Sequence, residues 1–472
     1  MDTNSYKLYQ TYNPETAQKQ KVDYIGKENY KYYLITAVIS YIFSYIYVKW
    51  LIEYNVMNDA FPYGQNLLFV FSILFIVATE ILTTGTGLSY NKLISTGRRQ
   101  VAIESVIVML CYIFQSFAVW AWDYHGSDWG FYQIILWHLT AIYYVLCRTG
   151  SLIAGRSGIY ILIDLFHGIF SIPWPNFIQR LTVISSGFRY AATDYRNKRN
   201  NKISSKTIIV VITSVIIAAF ICGYTVSQLS QISNTFNNLL DLSFIRSYFD
   251  NVFDIIFDDF YLIDTIFRII ISIPIGAWLF GLISGQIIKR YNILSLDEFN
   301  KSFAKMHIFP KISAYIIIVS VCFVYTVFMI SAVVDAFSHN SFITATAVEA
   351  SSIAVGSFWQ LIRVVVMNFA ILFASCFLAK EPLWDNKSTR ILTTVMFVYS
   401  TIFALLAAWN LFAVYIGLYG FTPRRILAAL VIVNVLVWCS LVFIRLYHRI
   451  PAAQIGILFG AISYSIVVCF KF

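Results

Sequence analysis

Residues 66–83 read NLLFVFSILFIVATEILT, an apolar run whose one ionisable side chain is Glu80. A helix rises about 1.5 Å per residue, so this run comes close to crossing a hydrocarbon core of about 30 Å. A single segment in lipid must satisfy its own backbone hydrogen bonds, which an α-helix does. The stretch therefore predicts a transmembrane helix, and the repetition of such runs decides the fold.

The whole chain has the composition of a membrane protein. Hydrophobic residues make up 59% and charged residues 12%, against about 25% charged in a soluble domain, and the mean hydropathy is +0.69. The fold class is therefore all-α, a polytopic integral membrane helix bundle with eleven transmembrane helices. The predicted spans are 32–52, 66–83, 101–121, 131–148, 207–226, 262–284, 312–334, 357–379, 391–414, 425–446 and 452–470.

Basic residues orient these spans. With a cytoplasmic N-terminus, 27 of the 34 Lys and Arg residues fall on the inner side, as the positive-inside rule requires. The exceptions lie outside or at the outer ends of spans: Lys49, Arg246, Arg268, Arg363, Arg424, Arg425 and Lys471. The basic pI thus indicates contact with the lipid bilayer and its anionic headgroups, and no nucleic-acid partner.

Charge and hydropathy divide the chain into four regions. Residues 1–30 form a cytoplasmic polar arm that is no cleavable signal peptide, and 31–148 form a four-helix membrane region. Residues 149–206 form a basic cytoplasmic region, whose apolar segment 159–170 is interfacial or re-entrant. Residues 207–472 form a seven-helix membrane region, with an amphipathic outer-leaflet helix near 239–260.

That amphipathic helix carries a carboxylate stripe. Asp250, Asp254 and Asp258 recur every four residues and so share one helix face. Carboxylate oxygens are the ligands of hard cations such as Ca²⁺, which makes the stripe a weak metal candidate. A solvated acidic face is the favoured interpretation, because no Gly-punctuated loop lets the three side chains converge on one ion.

Polar side chains inside the spans are the other candidates for a site. Asn368, His138, Asn410 and Asn434 fit interhelical hydrogen bonds. Arg268 can reach water from its outer boundary. A further polar group lies in the eighth span, where Arg363 and Gln360 sit in the segment FWQLIRVVVMN.

Arg363 lies about two turns from the outer end of its span and needs an acceptor there. A guanidinium at this depth pairs with a carboxylate, a lipid phosphate or a substrate anion. Asp335 and Glu349 in the preceding outer loop are the candidate carboxylates on this chain. A structural ion pair is the favoured interpretation of this arginine.

The loop at 415–425, YIGLYGFTPRR, opens the tenth span. Its glycines permit a tight turn, Thr422 suits a helix N-cap, and Pro423 suits the first helical turn. Free N–H groups at this helix start, beside Arg424 and Arg425, make either an anion site or an anchor to lipid phosphate.

Residues 344–372 and the 415–425 loop resemble an uncharacterised bacterial multi-spanning membrane family of the DUF4173/DUF4153 type, domains of unknown function. Its members carry a Gly-Phe-Phe-(Glu/Gln)-Leu span and a Tyr-Gly-Leu-Thr-x-x-Arg loop. Here Tyr419, Gly420, Thr422 and Arg425 match the loop, and Phe421 replaces the usual Leu. The span motif is looser. The resemblance implies a membrane location and a helix bundle, without an established activity.

No catalytic motif accompanies these features. The chain lacks a metalloprotease His-Glu-x-x-His, a phosphate-binding loop and a nucleophile elbow, and its single cysteines form no Cys-x-x-Cys pair. No catalytic residue and no cofactor is predicted.

Three functions remain open. The favoured one is an accessory or scaffold protein of the bacterial envelope that contacts a membrane protein partner. The others are a transporter or channel for an anionic or amphipathic solute, and an enzyme of lipid or envelope assembly. Frequent Ile, Tyr, Asn and Lys residues suggest an AT-rich genome, so the expected location is a bacterial cell membrane, with multiple passes.

Overall fold

The computed structural model of the protein describes residues 29–56, 64–121, 128–198, 262–288, 311–338, 347–379 and 383–470. These residues contain thirteen helices and no extended sheet. The helices are α1 (Tyr30–Val56), α2 (Gly64–Gly85), α3 (Tyr90–Ser95), α4 (Arg99–Ala121), α5 (Asp128–Thr149), α6 (Ile161–Phe166), α7 (Gln179–Lys198), α8 (Leu262–Ile288), α9 (Lys311–Ser338), α10 (Ala347–Leu378), α11 (Lys387–Trp409), α12 (Pro423–Tyr447) and α13 (Ala452–Val468).

Eight of the predicted spans coincide with helices that are long and apolar enough to cross a membrane. These are Tyr30–Ile52, Asn66–Gly85, Arg99–Ala121, Gly130–Thr149, Phe267–Ile288, Val355–Leu378, Lys387–Tyr419 and Arg424–Tyr447. Spans 312–334 and 452–470 correspond to the shorter apolar helices Tyr315–Ser331 and Ala452–Val468. The span 207–226 and the amphipathic helix near 239–260 lie outside the described residues. The protein is thus an all-α, multi-pass membrane protein.

The described helices pack into two groups. The first contains α1, α2, α4, α5 and α8 around a core of large aromatic side chains, including Phe43, Phe75, Trp137 and Phe280. The second contains α9, α10, α11 and α12, which pack around Phe397 and neighbouring apolar residues. Helix α13 contacts both α12 and α4, and so joins the two groups.

Residues 159–198 form a helix, a turn and a second helix. Helix α6 continues as one π-helical turn, His167–Ser171, before the chain turns at 172–178 and enters α7. Helix α7 runs antiparallel to the first half of α1: Arg180 reaches Ser40, and Tyr190 contacts Tyr30. The segment is held against α8 by close approach at glycines, and a Cβ on Gly281 would lie 2.9 Å from the Pro173 carbonyl oxygen.

Candidate functional site

An ion pair joins the end of α2 to the end of α5. Arg148 donates from Nε to Oε1 of Glu80 at 2.8 Å and from Nη2 to Oε2 at 2.9 Å. Its third nitrogen, Nη1, donates to the Leu88 carbonyl oxygen at 2.6 Å. The hydroxyls of Tyr144 and Tyr90 donate to Glu80 at 2.8 and 3.0 Å. The pair is therefore saturated with internal hydrogen bonds, which favours a structural role.

Tyr90 lies outside the spans and supports this pair from α3. Burial, together with the negative charge of Glu80, raises the pKa of Tyr90 to about 12. The phenol therefore stays protonated at neutral pH and remains a donor to the carboxylate. Its ring also lies 4.2 Å from the guanidinium carbon of Arg148, a cation–π contact.

A second carboxylate, Glu104 on α4, is only 2% exposed. Its Oε2 accepts hydrogen bonds from the backbone N–H and the hydroxyl of Ser157, at 2.8 and 2.9 Å. Its Oε1 accepts a short hydrogen bond from Gln454, whose own Oε1 accepts from Gln100 at 2.8 Å. A chain of amides and one carboxylate thus ties α4 to the start of α13.

Asp164 on α6 is a third buried carboxylate, and it is 1% exposed. Its Oδ1 accepts from the Ile153 backbone N–H at 2.9 Å, while Oδ2 has no hydrogen-bond partner. Burial raises the pKa of Asp164 to about 6, with a smaller opposing effect from the Ile153 hydrogen bond. The carboxyl therefore titrates close to neutral pH.

Arg180 at the start of α7 is the charged residue that sequence reasoning passed over. It is 1% exposed, yet the residues that the structure describes bring no carboxylate to it. In the sequence, Arg180 is one of several basic residues that flank the 159–170 segment. Only the folded structure, which places it beside Ser40 and Ile273, distinguishes it from the others. A contact between α7 and two distant helices leaves no local sequence signal.

The predicted residues on α10 fall on opposite faces. Arg363 and Gln360 are exposed, whereas Asn368 is buried. Asn368 accepts from the Tyr325 hydroxyl at 2.7 Å and donates to the Ser400 hydroxyl at 2.8 Å. It therefore links α10 to α9 and α11. The side chains of Asp335 and Glu349, the predicted partners of Arg363, lie outside the described ones.

The other predicted amides also bond between helices. Asn410 donates to the Ser357 hydroxyl of α10 at 2.9 Å. Asn434 on α12 donates to the Ser463 hydroxyl of α13 at 3.1 Å. Each is the type of interhelical contact that holds membrane bundles together.

His138 makes a similar contact from α5. Its Nε2 lies 2.8 Å from the Tyr47 hydroxyl on α1, and its Nδ1 lies 2.7 Å from the Ile134 carbonyl oxygen. The carbonyl can only accept, so Nδ1 carries a proton and Nε2 is the acceptor of the neutral ring. This arrangement gives the histidine a structural partner on α1.

In the turn before α12, Arg425 bonds to the backbone of the turn itself. Gly420 has φ +71°, a left-handed conformation, and α12 begins at Pro423 with Thr422 at the N-cap position and no hydrogen bond from its side chain. Arg425 donates from Nη1 to the carbonyl oxygens of Tyr419, at 2.7 Å, and Gly420. Its guanidinium also lies over the ring of Tyr415.

Arg424 in the same turn is exposed. Arg425 is thus engaged with carbonyl groups of its own turn. Arg268 on α8 is half-buried. The predicted site residues Arg268, Arg363 and Arg424 lie on three different helices.

The carboxylate stripe of Asp250, Asp254 and Asp258 lies outside the described residues. Within the part of the chain that the structure describes, no group of three or more His, Cys, Asp or Glu side chains has the geometry of a metal site.

Comparison with known proteins identifies a protein family. A family model described as a domain of unknown function (DUF4153) matches residues 105–470. No curated protein and no solved structure matches the chain significantly. The match begins within α4 and covers all helices from α5 to α13, so it includes the polar turn before α12 as well as Asp164, Arg180 and Arg363.

Proposed function

Because this chain belongs to the DUF4153 family, a family of unknown biochemical function, we propose a function from its own geometry. It is a membrane-embedded accessory protein of the bacterial cell envelope, and it holds a transmembrane helix of a partner protein against α10. The observation that carries this proposal is the exposed polar face of α10, which contains Gln360 and Arg363.

Helix α10 has one face packed and one face open. Phe358, Ile362 and Val365 are buried, at 3%, 5% and 0% exposure, against α9, α11 and α12. The open face contains Gly356, Trp359, Gln360, Arg363 and Met367, all exposed. Residues at these three- and four-residue spacings form one continuous stripe on a helix.

The position of Arg363 makes this stripe costly in lipid. It lies eight residues inside the apolar segment Val355–Leu378, which is about 12 Å along the helix axis. A guanidinium in hydrocarbon costs about 3 kcal/mol or more unless an acceptor reaches it. Gln360, one turn away, adds a second polar group that hydrocarbon cannot satisfy.

A transmembrane helix bearing a carboxylate has the chemistry to cover this stripe. Arg363 supplies the complementary charge, and Gln360 supplies both a donor and an acceptor. A Cβ placed on Gly356 meets nothing within 4 Å, so a second backbone has room to approach there. Close approach at small residues is a common feature of helix pairing in membranes.

The structure offers less support for a transporter or for an enzyme of lipid or envelope assembly. A transport pathway needs its polar residues inside the bundle, whereas Arg363 is exposed and Arg425 is bonded to carbonyl groups of its own turn.

An enzyme of lipid assembly needs an acid or base next to these arginines. Among the described side chains no histidine or carboxylate bonds to Arg363 or Arg425. Binding of anionic headgroups by the basic inner loops is compatible with the accessory role.

Photocrosslinking from position 359 tests the proposal. A photoreactive amino acid replaces Trp359 in the full chain, and irradiated products from native membranes are mapped by mass spectrometry to the crosslinked residue. We expect a crosslink to a transmembrane segment that carries Asp or Glu. The variant Arg363→Ala should lower its yield at least several-fold, because it removes the charge complementarity.

Ile316 on α9 supplies the control position, because it is exposed, at 61%, on a helix face without charged residues. The proposal is wrong if positions 359 and 316 give the same products, or if position 359 crosslinks only phospholipid and Arg363 reaches a headgroup by snorkelling. A crosslink to a second copy of this chain would replace the foreign partner by a homodimer.

A further inference from the structure

Arg180 lies deep between two membrane-spanning helices. It contacts Ser40, ten residues from the start of α1, and Ile273 in α8. Ten residues of helix correspond to about 15 Å, so the guanidinium lies level with the middle of α1. At 1% exposure it is one of the largest fully buried side chains.

The partners of this guanidinium are few and neutral. Nη2 donates to the Ile273 carbonyl oxygen at 2.7 Å, and Nη1 lies 3.5 Å from the Ser40 hydroxyl, a long hydrogen bond. One face of the group stacks on the Tyr41 ring at 3.7 Å. Nε has no hydrogen-bond partner. Within the described chain, no carboxylate lies within ion-pair distance of Arg180.

A buried charge without a counter-charge lowers the stability of the folded protein. Removing an ion from water costs several kcal/mol, which a counter-charge and a full set of hydrogen bonds normally offset. The Glu80–Arg148 pair has both, with each oxygen of Glu80 bonded. Arg180 also stands in the first turn of α7, where the helix dipole adds further positive potential.

We infer that Arg180 binds a small monovalent anion, of the halide or short carboxylate class, beside Ser40 and Ser44. One uncompensated positive charge calls for one negative charge. Nε of Arg180 supplies an unused donor. The hydroxyls of Ser40 and Ser44 now donate to carbonyl oxygens of their own helix, at 2.6 and 3.1 Å, and can turn toward an anion.

The packing around the guanidinium favours a compact ligand. A Cβ on Gly276 would lie 2.3 Å from Nη1 of Arg180 and 2.5 Å from the Ser44 hydroxyl oxygen. The site is therefore closed on the α8 side. Its depth along α1 also separates it from the headgroup layer, so a free anion fits better than a lipid phosphate.

Anion-dependent stability of the purified full-length protein tests this inference. Thermal unfolding is measured in zwitterionic nanodiscs at constant ionic strength while gluconate is replaced by chloride, bromide or formate. Gluconate, a much larger anion than the other three, is the reference. We expect chloride and formate to raise the melting temperature by several degrees with saturation, because a ligand of the folded state stabilises it. Bromide should behave like chloride.

Three variants test whether the anion-dependent stabilisation arises at Arg180. Arg180→Met should abolish the response and, in gluconate, should melt at or above the wild-type temperature, because the uncompensated charge is gone. Ser44→Ala keeps the charge and should weaken the apparent affinity several-fold. Arg189→Gln, an exposed arginine on the same helix, should respond like the wild type.

The inference is overturned if the wild-type melting temperature is the same in all four anions. It is also overturned if Arg180→Met retains the chloride response. If anionic lipid in the nanodisc stabilises the protein while chloride does not, the ligand is a headgroup phosphate and not a free anion. Should Arg180→Met fail to fold, the affinity change in Ser44→Ala decides the matter.

Discussion

Glu80 and Arg148 connect α2 to α5 through two parallel charge-assisted hydrogen bonds, of 2.8 and 2.9 Å. The bidentate geometry uses both carboxylate oxygens and leaves Nη1 for the Leu88 carbonyl oxygen. Such pairs add orientation as well as energy. This pair fixes the ends of two membrane-spanning helices relative to each other. Its two charges compensate each other, in contrast to the buried charge of Arg180.

Breaking this ion pair should destabilise the protein strongly. Glu80→Leu leaves the Arg148 side chain, 0% exposed, without its counter-charge, which costs about 3 kcal/mol or more. Unfolding in detergent, followed by temperature, measures the loss. The double variant Glu80→Leu with Arg148→Met should recover most of it, because both charges are then absent. Equal destabilisation in the single and double variants would contradict the interpretation.

Titration of Asp164 should make stability depend on pH. Burial raises its pKa from 3.8 to about 6 in the folded protein, so folding disfavours the ionised form. The penalty is absent below about pH 4, grows as the pH rises to 6, and is complete above that value. Asp164→Asn keeps the acceptor for Ile153 and removes the charge. It should stabilise the protein at pH 8 by about 3 kcal/mol.

Below about pH 4 the same variant should differ little from the wild type. The comparison is therefore made as a difference between two proteins at each pH, by thermal unfolding in the same detergent. A pH-independent difference would show that the charge of Asp164 is not its cause.

Adding one methyl group at Gly281 should disturb the packing of the 172–178 turn against α8. Gly281→Ala places its Cβ 2.9 Å from the backbone oxygen of Pro173, and a backbone atom cannot move aside alone. We expect a lower melting temperature and faster labelling of a cysteine introduced at Trp174. Gly356→Ala is the matched control, because its Cβ meets nothing within 4 Å. Similar effects of both substitutions would contradict this packing argument.

The orientation of the turn before α12 is open to direct labelling. The positive-inside pattern predicts that Tyr419 faces outward, and its side chain is 43% exposed. A cysteine introduced there in a cysteine-free variant should react with a membrane-impermeant maleimide in intact cells. Reaction only after permeabilisation would place the loop in the cytoplasm and make the eleven-span count wrong.

Much of the fold follows from segment length and composition. Runs such as 66–83 and 425–446 predict the helices Asn66–Gly85 and Arg424–Tyr447, because each helix satisfies its own backbone within one continuous apolar segment. The interhelical roles of His138, Asn368 and Asn434 also followed from the cost of a polar group in lipid. Their partners did not, since Tyr47, Ser400 and Ser463 are distant in sequence.

The sequence by itself determined that this chain is a multi-pass helical membrane protein, because span length and apolar composition are local properties. Tertiary structure alone decided which charges are compensated. Glu80 meets Arg148, whereas Glu104 and Arg180 meet neutral hydrogen-bonding groups. Residues of the same type received opposite environments because compensation depends on which helices pack together, and hydropathy along the chain does not encode those pairings.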